Sequence, residues 1–310
     1  MVIVFGSVNL DLSVPVPHAP RAGETVLGGA LLVDGGGKGA NQAHAARRYG
    51  ARVMLAGAVG EDALGAPALA NLERAGVGLD ALRRIAGTAT GSALITLDAH
   101  GENRIVVAPG ANAAACADSV TDDDLARARV LLLQLEVPFE QSRRLARRAR
   151  AQGCRVMLNA APVLPGWRPE LADIDVVIVN RIELHQLADS LGVAPGAPAT
   201  RARALARAHG CEVLLTLGAH GAMLAAPDAS VCSMNGHALP VVDTTGAGDT
   251  FAGVFAAAVA EGQDRAGALR AANAAAALSC GARGAQAAQP QRAAVEHFLR
   301  AGADQPKEIP

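Results

Sequence analysis

Asp249 ends the run Asp243-Thr244-Thr245-Gly246-Ala247-Gly248-Asp249, which joins a β-prone stretch, ALPVV at 238–242, to a long alanine-rich segment expected to be helical over 247–261. Small residues at 246–248 let a backbone approach a ligand closely. The unpaired N–H groups of a helix start, with the helix dipole, favour an anion there. Asp249 could take a proton from a hydroxyl while the N–H groups of Gly246, Ala247 and Gly248 balance charge on a transferring phosphoryl group. The same carboxylate could equally do no more than complement the dipole.

Two further clusters carry chemistry. Asp34-Gly35-Gly36-Gly37-Lys38-Gly39-Ala40-Asn41 places three glycines before a helix, again suggesting close approach to a polar ligand. It is not a Walker A loop, because Gly39 stands where Ser or Thr is required. It loosely matches a dinucleotide fingerprint as Gly35-x-Gly37-x-x-Ala40, with Glu61 and Asp62 about twenty residues on. Lys38 and Asn41 suit hydroxyls better than a pyrophosphate. Asn180-Arg181-Ile182-Glu183 puts two oxygen-bearing side chains on one helix face. Glu183 could hold the water shell of Mg²⁺. The pattern also fits a helix N-cap with its capping-box partner.

The elements that must position these groups read as short apolar runs at 1–5, 53–59, 130–136, 155–160, 175–180 and 212–218, apolar on both alternating faces. Helical segments at 41–49, 62–75, 140–152, 181–190 and 200–209 alternate with them, and 265–280 is a second alanine-rich helix. The alternation predicts a doubly wound α/β sheet with helices on both faces. Sites in such sheets lie at the carboxyl ends of strands, where Asn9, Asp11, Glu136, Asn159, Asn180, Glu183, Thr216 and Gly218 all fall. Residues 10–33 are proline-punctuated and 91–107 read as a hairpin turning at Gly101 and Asn103. The expectation is one α/β domain over 1–303, a small β lid from about 10–34 and 90–109, and a C-terminal tail at 304–310.

Composition narrows the options. The 310 residues carry 28 basic and 29 acidic side chains, and the net charge of -1 offers no general attraction to nucleic acid or to a membrane surface. The exception, Arg143, Arg144, Arg147, Arg148 and Arg150, suits the outer face of an amphipathic helix. No apolar run approaches the ~20 residues of a membrane span, and the N-terminus lacks a signal-peptide pattern. A cytoplasmic protein is expected. Cys116, Cys154, Cys211, Cys232 and Cys280 are scattered and read as buried thiols rather than staples or zinc ligands.

Taken in order, the motifs resemble those of the PfkB family of carbohydrate kinases, from residue 1 to about 300, and most of all its ribose-phosphorylating members. Gly36-Gly37-Lys38-Gly39-Ala40-Asn41-Gln42-Ala43, followed by Gly50 and Gly60, is similar to the family's N-terminal signature. Asp243 to Asp249 with Thr250-Phe251-Ala252-Gly253 resembles its C-terminal one, and Asn180 to Glu183 its N-x-x-E element. Gly6 to Asp11, Gly110-Ala111-Asn112, Gln134-Leu135-Glu136 and Thr216-Leu217-Gly218 agree in order and spacing. The resemblance implies that Asn9, Asp11, Gly36, Gly37, Lys38, Asn41 and Glu136 hold sugar hydroxyls, with Asp249 as the base and Gly246, Ala247 and Gly248 as an anion hole. It places Asn180, Thr216, Gly218, Ala219, Gly221, Gly248 and Asn273 around ATP, and hydrated Mg²⁺ at Glu183. An activating K⁺ would sit within Asp243 and the carbonyls of Thr245, Ser279, Ala282 and Gly284, next to Ala288 where relatives often carry Ser. It also implies a homodimer formed through the lid. Asp34 and His44 are less usual choices at their positions.

The implied reaction is ATP-dependent phosphorylation of a small sugar. Asn9, Asp11 and the GGKGANQA run favour D-ribose, giving D-ribose 5-phosphate. The same base would serve fructose, 2-deoxyribose, 2-keto-3-deoxygluconate or a nucleoside, although five Phe, one Trp and one Tyr leave few rings for a purine to stack on. A dehydrogenase reading fails for want of the required first strand. A catalytically silent sugar-binding regulator would be separated from an enzyme by ATP turnover.

Overall fold

Strand runs that are apolar on both faces must be covered on both faces, and the structure, a computed structural model describing residues 1–98, 103–164 and 166–302, shows how. In chain order its elements are β1 (Val2–Phe5), β2 (Asn9–Pro15), β3 (Leu32–Gly36), α1 (Lys38–Arg48), β4 (Val53–Gly60), α2 (Gly65–Ala75), β5 (Leu82–Ile85), β6 (Gly91–Leu97) and β7 (Asn103–Ala108). Next come α3 (Asp122–Arg127), β8 (Val130–Leu133), α4 (Phe139–Ala151), β9 (Arg155–Asn159), β10 (Val176–Val179), α5 (Arg181–Ser190), α6 (Pro198–His209) and β11 (Glu212–Thr216). The chain then runs through β12 (Ala222–Ala225), β13 (Val231–Met234), α7 (Ala247–Ala260), α8 (Arg265–Ser279) and α9 (Arg292–Arg300). The expected tail at 304–310 and the Gly101 turn lie outside the described residues.

Among the described residues the main sheet has nine strands in the order β13-β12-β11-β10-β9-β8-β1-β4-β5. It is parallel except where β12 turns back against β11 and β13 against β12. Alternate residues feed two cores. Val2, Val4, Leu55, Leu132 and Ile178 pack with α1, α2, α7 and α8. Ile3, Phe5, Leu131, Leu133 and Val177 pack with α4, α5 and α6 on the other side. The arginines of α4 point outward and meet carboxylates: Arg143 with Glu170, Arg144 with Asp118, Arg147 with Asp173 and Arg148 with Asp122. That is the solvated face expected of them. No helix of the described residues is long and apolar enough to cross a membrane. Of the cysteines, only Cys154 and Cys211 are fully buried, while the other three are partly exposed, and none is paired.

A second sheet, β3-β2-β6-β7, is built from the two segments that break the alternation. Its register puts Asp11 beside Asp34 and Ala93, on the face toward the main body. Leu12, Val33, Leu94 and Val106 line up across the four strands on the other face. Because β3 belongs to this antiparallel pairing rather than to a βαβ unit, the glycine run after it cannot be a dinucleotide fingerprint. The β-prone stretch 238–242 pairs with no strand among the described residues, and its Val241 and Val242 are exposed. The N–H groups of Val242 and Asp243 go instead to the carbonyl of Cys280.

The alanine-rich C-terminal third is explained by close helix packing. A Cβ on Gly253 of α7 would lie 2.4 Å from the Gln42 carbonyl oxygen and 2.8 Å from Ala45 Cβ, both on α1. Gly253→Ala must therefore push α7 away from α1. The expected outcome is a loss of about 1–3 kcal/mol of stability in chemical denaturation, with a larger proportional loss of turnover. Unchanged stability and turnover would show that the contact is not needed.

Candidate active site

The glycines after β3 serve the protein's own backbone before any ligand. Gly37, at φ +87°, precedes α1, and a Cβ there would sit 2.8 Å from the Asn9 nitrogen. A Cβ on Gly39 would come within 2.6 Å of Gly6 and Ser7, and one on Gly36 would strike the Asp11 carboxylate at 2.2 Å. Their lack of side chains lets α1 start against the β1–β2 turn. The run at α7 divides the two tasks. Gly246, at φ +74°, is pressed against Ala285, whereas nothing lies within 4 Å of where a Gly248 Cβ would be.

Asp249, only 7% exposed, is held by neutral amides. Asn41 Nδ2 donates to one carboxylate oxygen at 3.0 Å and Gln42 Nε2 to the other at 2.9 Å. Gln42 Nε2 also donates to Asn159 Oδ1 at 2.9 Å, and Gln134 Nε2 donates to Gln42 Oε1 at 2.7 Å. On the other side Gln286 Nε2 donates to Asn41 Oδ1, and Gln289 Nε2 to the Asn41 carbonyl, both at 3.0 Å. His44 completes this group through Gln289 Oε1 at 2.7 Å, and burial holds its imidazole below the usual histidine range. The network leaves each amide one orientation, so the carboxylate is fixed in place.

Above Asp249 a cleft is lined by Lys38, Asn159, Asn180, Glu183, Thr216, Gly246 and Gly248. Of the residues expected at strand ends, Asn159, Asn180, Glu183 and Thr216 meet there, whereas Asn9, Asp11, Glu136 and Gly218 do not line this cleft. Asp249, with Glu136 and Glu183, holds the Lys38 ammonium above the usual lysine range against the effect of burial. Ala247 N–H is taken by the Thr244 carbonyl at 3.2 Å, whereas no backbone acceptor of the described residues meets the N–H of Gly248 or Asp249. Both residues line the cleft.

An adjoining cleft holds Asn9 and Glu136 together with Asn112, Val107 and Pro109. Glu136 accepts from Ser7 Oγ at 2.5 Å and from the Lys38 N–H at 3.0 Å. Asn9 Oδ1 accepts from Asn112 Nδ2 at 2.8 Å. Burial, then the charges of Asp34, Glu136 and Asp249, push the Asp11 carboxyl up to about 6. Asp34 is turned aside by Asn71 Nδ2 at 2.9 Å and by its neighbour's N–H, Gly35, at 2.8 Å.

Asn180 and Glu183 form the reciprocal capping box of α5, at 2.9 and 2.8 Å. Only one Glu183 oxygen is used in the box. Burial pushes its carboxyl up, which suits a group whose charge a nearby cation would relieve. Thr216 ends β11 with its Oγ1 3.4 Å from the Val179 carbonyl. Beyond it Gly221 and Ala219 lie against Gly236, and Asn273 Nδ2 ties down the neighbouring Asn235 carbonyl at 2.7 Å. At Gly218 the space is open, with nothing within 4 Å of where a Cβ would stand. Asp243 joins two loops, accepting from Thr245 N–H and Oγ1 at 2.9 and 2.6 Å and from Gly284 N–H at 3.0 Å. The Gly284 carbonyl accepts from Ala288 N–H at 3.3 Å, while no backbone N–H of the described residues reaches the carbonyls of Thr245 and Ala282.

Four positioning residues escaped the sequence-based site: Gln42, Gln134, Gln286 and Gln289. Gln42 and Gln134 lie inside motifs already singled out. Gln286 and Gln289 had no local signal, since their partners are some 245 residues away in the chain. Together the groups form a fixed carboxylate, free N–H donors and a cation around one cleft, an arrangement suited to moving a phosphoryl group onto a hydroxyl.

Comparison with known proteins agrees. A model of the pfkB family of carbohydrate kinases matches residues 1–292. A ribokinase of Bacillus subtilis is 37% identical over 305 residues, covering 96% of this chain and 99% of that protein. A solved ribokinase from Arabidopsis thaliana, complexed with ribose and ATP, superposes with a TM-score of 0.87 at 33% identity, covering 96% of this chain and 98% of the other. One from Thermotoga maritima gives 0.89 at 31% identity, covering 97% and 99%.

The Asp11 environment makes stability depend on pH. Below the ordinary carboxyl value of 3.8, Asp11 is protonated in both folded and unfolded chains and costs nothing. Between 3.8 and about 6 the unfolded chain has released the proton that the folded chain still holds, so stability falls as pH rises across that window and is level above it. Asp11→Asn is expected to gain thermal stability over the parent at pH 7 and not at pH 3.5. Parallel melting curves across that range would contradict it.

Proposed function

The chain belongs to the pfkB family of carbohydrate kinases and is an ATP-dependent sugar kinase, and we propose that its sugar is D-ribose, phosphorylated at the 5-hydroxyl. One observation carries the mechanism: Asp249 is buried at the first turn of α7 with both oxygens oriented by amides, directly beneath a cleft that Lys38 and Gly248 also face. Asp249 takes the hydroxyl proton as the sugar oxygen bonds to the γ-phosphorus and the bond to ADP breaks. The N–H groups of Gly248 and Asp249 and the Lys38 ammonium balance the charge on the moving phosphoryl group. Asn9, Asp11, Asn41 and Glu136 supply short polar groups for the sugar's other hydroxyls, supported by Gly36 and Gly37 behind them. Gly246 and Ala247 shape the anion hole.

ATP would lie along Asn180, Thr216, Gly218, Ala219, Gly221 and Asn273. Glu183 fits Mg²⁺ held through water, since one of its oxygens is free in the cleft and its charge is poorly solvated. That ion supplies neutralisation of phosphate charge. Asp243 with the carbonyls of Thr245, Ser279 and Ala282 fits an activating K⁺. Gly284 and Ala288 fit it less well, because the Gly284 carbonyl is already hydrogen-bonded to Ala288. The small sheet acts as a lid that keeps water from the reaction. Its outer row, with Val33, Leu94 and Val106 at 51, 53 and 66% exposure, is the contact of a homodimer.

The decisive experiment is ADP release from MgATP, with and without K⁺, over ribose, 2-deoxyribose, fructose, 2-keto-3-deoxygluconate, adenosine and uridine. Ribose-selective, K⁺-stimulated turnover is expected, and a higher kcat/KM for another sugar would replace ribose. Asp249→Ala should lower kcat by on the order of 10³-fold or more with ATP binding retained. Near-normal turnover would remove Asp249 from its role. Val106→Glu should convert a dimer to monomer in sedimentation velocity, and a monomeric parent chain would refute the lid contact.

A further inference from the structure

At the far end of α1 from Lys38, about 15 Å along the helix axis, four arginines line one cleft: Arg47, Arg48, Arg74 and Arg292, with Gln291 and Ala293. Arginines elsewhere on the surface, such as Arg143 and Arg155, meet carboxylates, but no carboxylate of the described residues forms an ion pair with Arg47, Arg48 or Arg74. Arg47 Nε donates to the Ala75 carbonyl and Nη1 to that of Ala51. Arg48 Nε and Nη2 both donate to the Gln289 carbonyl, and Arg74 Nε to that of Ala70. Holding backbone carbonyls in this way fixes the three guanidinium groups and uses only part of their donors. Among the described residues Arg47 Nη2, Arg48 Nη1 and Arg74 Nη1 have no acceptor. Arg292 is neutralised by Glu261 and Glu296, and its guanidinium lies 5.1 Å from the Tyr49 ring centre. The cleft therefore keeps an excess of positive charge.

A second feature converges there. The nine residues of α9 begin at Arg292 with Gln291 as N-cap and no side chain capping the first turn. The backbone N–H groups of Arg292 and Ala293 have no acceptor among the described residues and open at the same cleft. Guanidinium forks already held in position beside free N–H groups match the oxygens of a tetrahedral dianion.

We propose that this cleft between α1, α2 and α9 binds a phosphate group, at a site separate from the one that handles ATP. The site is joined to the catalytic apparatus. Arg48 holds the Gln289 carbonyl, and the Gln289 side chain holds both the Asn41 carbonyl and His44, two links from Asp249. A phosphate bound there loads the residue that steadies Asn41.

The test is calorimetric titration of inorganic phosphate into the chain saturated with sugar and a non-hydrolysable ATP analogue, so that the catalytic anion site is filled. Saturable binding of one phosphate per chain is expected, weakened about tenfold by Arg74→Gln. Arg74 is exposed, so that variant keeps its fold, and Arg47→Gln should have a similar effect. No saturable binding by the parent chain, or affinity unchanged in both variants, would overturn the site. A parallel titration with glycerol 3-phosphate identifies the source: tighter binding than inorganic phosphate makes the ligand a phosphate ester, and weaker binding makes it free phosphate.

Discussion

How closely α7 can approach α1 sets where Asp249 stands relative to Asn41 and Gln42. Gly253 lies against the Gln42 carbonyl with no room for a methyl group, and only that separation brings Asp249 within hydrogen-bonding distance of Asn41 and Gln42. The contact is made of backbone and alanine, which cannot yield as a flexible side chain would. The base is thus positioned by main-chain geometry first and by the amide network second.

Around that base the charges are unbalanced in a way that suits substrates. Asp249, Glu136 and Glu183 surround Lys38 and hold its ammonium firmly, while Asp11, already penalised by burial, is pushed further up by Asp34, Glu136 and Asp249; at Glu183 burial raises the carboxyl and Lys38 offsets part of that rise. Hydroxyl donors would relieve the carboxyls around Asp11 and Glu136, and a cation would relieve Glu183. Neutral amides are the appropriate support for Asp249 here. A directly paired arginine would compete with the hydroxyl for the carboxylate.

The sequence was legible where the physics is local. Runs such as Val2–Phe5 and Val176–Val179 declare buried parallel strands because both faces are apolar, and Asn180-x-x-Glu183 declares a helix start because the capping box closes within four residues. It was illegible where partners are remote. The ALPVV segment has the composition of a strand, but strand pairing needs a neighbour, and its N–H groups found the end of α8 instead. Gly36, Gly37 and Gly39 advertise close approach without saying to what, and their missing side chains leave room for Asp11, Asn9 and Gly6. Gln286 and Gln289 matter through contacts with Asn41 and His44 that no periodicity could reveal. The family resemblance supplied roles for many site residues but not this support.

The register of the small sheet has a mechanical meaning. Asn9 pairs with Gly36 on one side and Gly91 on the other, so three strands are rooted in one row, and that row borders the cleft shared by Asn9 and Glu136. A lever pivoted there swings widely at its free edge, near Leu97 and Asn103, while its fulcrum scarcely moves. Rocking of the sheet would open and close the entrance without dismantling the contacts at Asn9 and Gly36.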